Sequence, residues 1–245
     1  FGNALCKVYN NPPAESENIE LPAVDQVKIR RIIDEAENGY LMPEQVQEIL
    51  DASGIPRAGE AIASSKEEAI LKANQLGFPI VMKVIGPVHK SDVGGVVLHI
   101  KNAETVGKEF ERMIQIPDTT AILLQPMLSG TELFVGAKKE EKFGHMVLCG
   151  LGGIFIEVLK DVNAGLAPIS DQEADWMIKN LKSYKIIEGV RGQEGVNEIL
   201  FREIVQRVSV LVKIAPEIFE MDLNPLLGKT DKVVAVDARI RIEKE

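Results

Sequence analysis

The chain has 245 residues, of which 45% are hydrophobic and 27% charged, with a formal net charge of -9. That length supplies a sizeable buried core in one large domain or two small ones. The acidic balance argues against a nucleic-acid surface, which needs a basic face, and gains nothing from an anionic membrane.

Cys6 and Cys149 lie far apart and outside any CxxC pair, which speaks against a disulfide framework or a structural zinc and for a reducing cytoplasm. No signal peptide or bilayer-length apolar run is visible, and the most apolar stretch, Met146 to Leu159, is broken by Gly150, Gly152 and Gly153.

Residues 1–22 carry Asn10-Asn11-Pro12-Pro13 and few apolar side chains, and read as a linker or tail. Val24 to Glu37 has helical periodicity, a turn follows at Asn38-Gly39, and Pro43 opens a second helix that Gly54 ends. Ser65 to Leu76 reads as a helix stopped by Gly77, and Phe78 to Val84 and Val96 to Ile100 as strands. Asn102 caps a helix over Ala103 to Ile114. Strands are predicted over Ala121 to Gln125, Glu132 to Lys138 and His145 to Leu148, and helices over Gln172 to Leu181 and Ile199 to Ile214. Ile218 to Asp222 and Val233 to Asp237 read as the last two strands.

Interleaved helices and strands give an α/β or α+β class, with antiparallel pairing where adjacent strands lack a helix between them. The division is drawn at 23–120 for an N-terminal lobe and 121–245 for a C-terminal lobe.

Lys83 closes the apolar run Phe78-Pro79-Ile80-Val81-Met82, which suits either a lysine at a strand edge or a phosphate contact. Six residues on, His89-Lys90-Ser91-Asp92-Val93-Gly94-Gly95 combines an imidazole with a glycine pair. A neutral imidazole can attack phosphorus, and glycines let backbone N–H groups turn toward an anion. Gly150-Leu151-Gly152-Gly153 follows a strong strand. It fits neither GxxxxGK[ST] nor GxGxxG, and is as compatible with a tight turn as with a ligand loop.

Asp222 and Asn224 stand two residues apart on a strand and so share a face, and Asp237 ends the next strand. Paired strands would bring three oxygen donors together, a set suited to Mg²⁺, and an acidic hairpin rim is the plain alternative. Pro225 lacks an N–H for the ladder, so the chain is expected to leave the sheet there. Gln125-Pro126-Met127-Leu128 reads either as an inter-lobe linker or as a hinge offering backbone and amide groups to a base.

In order and spacing, FPIVMKVIGPVHKSDVGGVVL, LLQPMLSGTELFVGAKKEEKFGHMVLCGLGGIFIEVLKDV, EMDLNPLL and VVAVDARI resemble the ATP-grasp domain of ADP-forming acetyl-CoA and acyl-CoA synthetases, relatives of succinyl-CoA synthetase. The resemblance runs from about residue 24 to the C-terminus. It implies two lobes with mixed sheets clasping ATP or ADP with Mg²⁺.

It gives Lys83 the phosphates, Gln125 and the backbone near Leu128 the adenine, and Glu132, Gly152 and Gly153 places beside the nucleotide. Asp222, Asn224 and Asp237 would hold the metal, and His89 would shuttle phosphate. Two departures stand out. His89 is two residues closer to Lys83 than in the family pattern KxxSPDxxHKSDVGGV. Ala164-Gly165 replaces an aromatic–arginine pair, which predicts a weaker phosphate field there.

Such modules work with a CoA-binding domain or α subunit that carries the main phosphohistidine and handles acyl-CoA. The opening Phe1-Gly2-Asn3-Ala4-Leu5 resembles the end of such a domain. The expected function is phosphoryl transfer between ATP/ADP and a phosphohistidine, incomplete without that part. The rivals are a regulatory ATP-grasp module of a fused protein acetyltransferase and a docking scaffold.

Overall fold

The protein is described by a computed structural model covering residues 20–86, 93–153, 161–190, 192 and 194–244. His89, Cys6 and the 154–160 part of the glycine-rich block lie outside these residues.

The elements in chain order are α1 (Gln26–Glu35), β1 (Gly39–Tyr40), α2 (Pro43–Ala52), β2 (Ala61–Ala63), α3 (Lys66–Leu76), β3 (Ile80–Ile85), β4 (Val96–Ile100), α4 (Ala103–Met113) and β5 (Ala121–Pro126). They continue with β6 (Thr131–Glu140), β7 (Gly144–Leu151), β8 (Val162–Leu166), α5 (Asp171–Lys179), α6 (Tyr184–Glu188), α7 (Glu198–Ile214), β9 (Ile218–Gly228), β10 (Val233–Ala235) and β11 (Ala238–Ile242).

Contacts divide the chain into two compact units. One takes the chain up to Arg57 and again from Gly130 onward, and the other is Ala58–Ser129. The boundaries differ from the 23–120 and 121–245 division. Helices α1 and α2 bury Ile29, Ile33, Ile49 and Leu50 in the same core as α7, and β5 is laddered to β3.

In the smaller unit the sheet order is β2-β5-β3-β4, antiparallel throughout. Helix α3 starts where the Ser65 hydroxyl accepts from Glu68 N–H at 3.2 Å, and α4 where Asn102 accepts from Thr105 N–H at 2.9 Å. Their apolar faces, with Ala69, Ala73, Val106, Phe110 and Met113, cover Ile80, Met82, Val84, Ile122 and Leu124. Period-two alternation therefore leaves Val81, Lys83, Ile85, Leu123 and Gln125 on the opposite, helix-free face. Ile62, Ile85, Ala121 and Leu123 form a small apolar cluster there.

In the larger unit the order is β1-β11-β9-β6-β7-β8, with β10 also on β9. Every pairing is antiparallel where mixed sheets are expected, because β6, β7 and β8, and likewise β9, β10 and β11, follow one another without a crossover helix. The long helix α7 buries Phe201, Ile204, Val205, Val208, Leu211 and Val212 against Leu133, Val135, Val147, Cys149 and Leu223. Burial pushes the Cys149 thiol up to about 12, so it acts as a small apolar group.

Strand β9 does not end at Pro225. It runs on to Gly228, and the ladder to β6 slips between Leu133 and Val135, so the missing proline N–H sits at the irregularity. Strand β11 and the short β1 pairing with it were not legible in the sequence.

Ser209, wholly buried on α7, accepts from Ile169 N–H at 3.1 Å and ties the start of α5 to the helix. Ser209→Ala leaves that amide without its acceptor. It is expected to cost about 1–2 kcal/mol, read as a fall of a few degrees in thermal denaturation.

Among the described residues no helix is long and apolar enough to cross a membrane.

Candidate functional site

Two sets of side chains stand on helix-free sheet faces, one in each unit. In the larger unit, core-facing Leu133, Val135, Met221 and Leu223 alternate with residues that face away from the helices. Across the ladders Gly136, Asp222 and Arg239 form one row, and Lys138, Glu220 and Arg241 the next. Tyr40 on β1 joins the second row through its hydroxyl, which donates to Glu220 Oε1 at 3.0 Å.

Asn224 lies two residues beyond Asp222. Its backbone N–H donates to Asp237 O at 3.1 Å, which fixes the end of β10 beside β9. Its side-chain oxygen accepts from Gly153 N–H at 3.1 Å, drawing in the turn that follows β7. That turn is held a second time where Gly152 N–H donates to Glu132 O at 2.8 Å. Gly153 has φ +59, and an added Cβ would overlap Glu132 Oε2.

Glu132, Gly152, Gly153, Asn224 and Asp237, singled out from five stretches of sequence, are therefore joined by named contacts. Asp222 is electrostatically coupled to them, since Asp237 raises its pKa. Burial is the largest influence on the Asp222 carboxyl and raises its pKa. Arg239 opposes the rise, while Asp237 and Glu220 add to it.

Two carboxylates and an amide oxygen make a hard donor set that suits Mg²⁺, which takes only one or two carboxylates and completes its shell with water and phosphate oxygens. Among the described residues no group of three or more His, Cys, Asp or Glu gathers elsewhere as a metal site.

Arg239 is a member of this site that sequence reasoning passed over. Its signal was present, since Asp237, Arg239 and Arg241 alternate along the DARI run. Gly165, by contrast, faces the helices. An added Cβ would meet Glu173 Oε1 at 2.9 Å, Ile169 Cδ1 at 3.1 Å and Met177 Sδ at 3.1 Å. The departure at this position therefore removes no cation from the helix-free face, which corrects the expectation of a weaker phosphate field there.

In the smaller unit Lys83 sits inside β3 rather than at its end, half-buried, opposite Leu123 on β5 and Val96 on β4. Gln125 is opposite Val81 on the same face, with Ile62 and Leu123 nearby in the apolar cluster. Its amide nitrogen donates to Glu60 Oε2 at 2.8 Å. Leu128 follows β5 in a half-buried loop whose start is fixed by Met127 N–H donating to Pro79 O at 2.9 Å. Glu60 is a second residue the sequence did not mark.

Antiparallel sheets with one helix-covered and one polar face, the polar face bearing a lysine in one unit and an oxygen-rich glycine turn in the other, are what an ATP-grasp protein presents. Residues 32–242 match the family described as ATP-grasp domain, and the chain belongs to that family.

Within it the chain is similar to the β subunit of ADP-forming acetate–CoA ligase I of Pyrococcus furiosus, 39% identical over 225 residues that cover 87% of this chain and 97% of that subunit. It is also similar to the ADP-forming 4-hydroxybutyrate–CoA ligase of Nitrosopumilus maritimus, 37% identical over 83% of this chain but only 31% of that longer protein. A solved structure of dinucleotide-forming acetyl-coenzyme A synthetase 1 from Ca. Korarchaeum cryptofilum aligns with a TM-score of 0.77 at 33% identity, covering 89% of this chain and 100% of that one. It is in complex with coenzyme A and Mg-AMPPCP, its phosphohistidine segment pointing towards the nucleotide binding site.

Proposed function

We propose that this chain is the nucleotide-binding part of an ADP-forming acyl-CoA synthetase, moving phosphate between ATP or ADP and a phosphohistidine while acyl-CoA, acyl phosphate and CoA interconvert. The observation that carries the reading is the Gly153 N–H to Asn224 Oδ1 bond, which sets the glycine turn beside Glu132 and Asp237. A glycine turn offering backbone N–H groups suits phosphate oxygens, and the adjacent carboxylates suit the phosphate-bound cation.

Phosphoryl transfer is catalysed mainly by positioning and charge neutralisation. Lys83 supplies a cation for the phosphates, while Gln125 and the Leu128 backbone orient the base. Asp222, Asn224 and Asp237 would hold Mg²⁺, which when bound neutralises charge on the phosphates. The half-buried setting of Lys83 on an apolar face strengthens its pull on an anion. The shuttle role of His89 rests on the family resemblance. A CoA-binding domain or α subunit, in the same cytoplasmic enzyme, would supply the phosphohistidine and the acyl-CoA site.

Calorimetry tests the reading directly. ADP with Mg²⁺ should bind with measurable heat, and omission of Mg²⁺ should weaken it on the order of tenfold or more. Absence of heat under both conditions rejects the reading in favour of a scaffold.

A further inference from the structure

Gln125 is 3% exposed, and its amide is ordered by one acidic neighbour. Strand β2 pairs with β5 with Ala61 opposite Leu124, so the next step of the antiparallel ladder brings Glu60 beside Gln125. The 2.8 Å bond from Gln125 Nε2 to Glu60 Oε2 thus joins segments 65 residues apart through a ladder that already fixes both backbones. A glutamine amide has a donor end and an acceptor end of nearly the same shape, whereas an ionised carboxylate only accepts. The end that meets Glu60 must therefore be the nitrogen, and the carbonyl oxygen is turned away from it.

This matters for the base that Gln125 meets, and the argument rests on the nucleotide reading given above. At equivalent ring positions adenine carries an amino donor and guanine a carbonyl acceptor. We propose that Glu60 is a positioning residue that holds the Gln125 amide oxygen-first and so selects adenine over guanine nucleotides. An amide locked this way accepts from the adenine amino group and sets oxygen against oxygen with guanine. Released from Glu60, the amide turns over and serves either base. Glu60 touches no substrate in this scheme, and its effect passes through Gln125.

The test is calorimetry of the chain with Mg-ADP and with Mg-GDP, for the wild type, Glu60→Ala and the isosteric Glu60→Gln, whose amide donates as readily as it accepts. The wild type should bind ADP at least about tenfold more tightly than GDP, the discrimination expected from one mismatched buried hydrogen bond. Both variants should bring the two affinities to within about threefold of each other, chiefly by improved GDP binding.

A purely structural role for Glu60 would weaken both nucleotides together and leave their ratio alone. An unchanged ratio in Glu60→Gln at unchanged melting temperature overturns the proposal. So does a wild type that binds ADP and GDP equally. A wild type that binds neither overturns the nucleotide reading and this proposal with it, which separates the two failures.

Discussion

Asp222→Asn is expected to make the isolated protein more stable at neutral pH and to remove its Mg²⁺-dependent nucleotide chemistry. The pKa of Asp222 is raised, first by burial and then by the charges of Asp237 and Glu220, with Arg239 only partly offsetting them. For an acid whose native pKa lies above its unfolded value, the native state binds more protons over the interval between the two. Stability contributed at this position is therefore greatest below the ordinary carboxylate range, near pH 4, and falls as the pH rises through the higher native pKa.

Asparagine has the same shape without the charge, so its advantage should be absent near pH 3 and reach about 1 kcal/mol by pH 7, or a few degrees in melting temperature without Mg²⁺. In the complete synthetase the same change should lower turnover on the order of 10²–10³-fold, because a charge-neutralising contact to the transferring phosphate is lost. Melting curves from pH 3 to pH 8 and turnover at saturating Mg-ADP check the two halves. Full turnover in the variant would reject the metal assignment, and a stability loss at neutral pH would reject the account of the carboxyl.

The elements legible in the sequence were those with strong local signals. Helices α3, α4 and α7 declare themselves by a capping residue at Ser65, Asn102 and Asn197 and by a long apolar stripe, and each begins at that cap. The short strands had no such signal. Ala61–Ala63 is three residues of low β propensity, ordered by its ladder to β5, and Gly39–Tyr40 is a strand only because β11 lies beside it. Gly39 reads locally as a turn, and tertiary pairing overrides that preference.

Asn224 and Asp237 could be joined from sequence because strand alternation and a following strand end are local facts. Glu60 could not, since a lone glutamate before a short strand has no local mark of its partner 65 residues away. Gly165 shows the same limit from the other side. A departure from a family pattern does not say which face of β8 it occupies, and only the neighbours Glu173, Ile169 and Met177 do.

The paired glycines after β7 should separate structural from ligand-binding roles when each is replaced by alanine. At Gly152 the new Cβ would overlap the Leu133 carbonyl oxygen and come within 2.8 Å of its carbonyl carbon, both main-chain atoms of β6. Main chain cannot swing aside without giving up the ladder and the Gly152 N–H to Glu132 O bond. Gly152→Ala should therefore cost about 3 kcal/mol or more, or roughly 6–12 °C of melting temperature, and abolish nucleotide binding along with the fold of the turn.

At Gly153 the obstacle is the carboxylate end of Glu132, an exposed and flexible side chain. Gly153→Ala should keep its fold, at about 1 kcal/mol for the left-handed backbone, while displacing that carboxylate. If Glu132 works beside the nucleotide, Glu132→Ala and Gly153→Ala should each weaken Mg-ADP binding on the order of tenfold, and the double variant should be no worse than either. Additive losses in that cycle would mean that Gly153 acts on the nucleotide through its own backbone rather than by making room for Glu132.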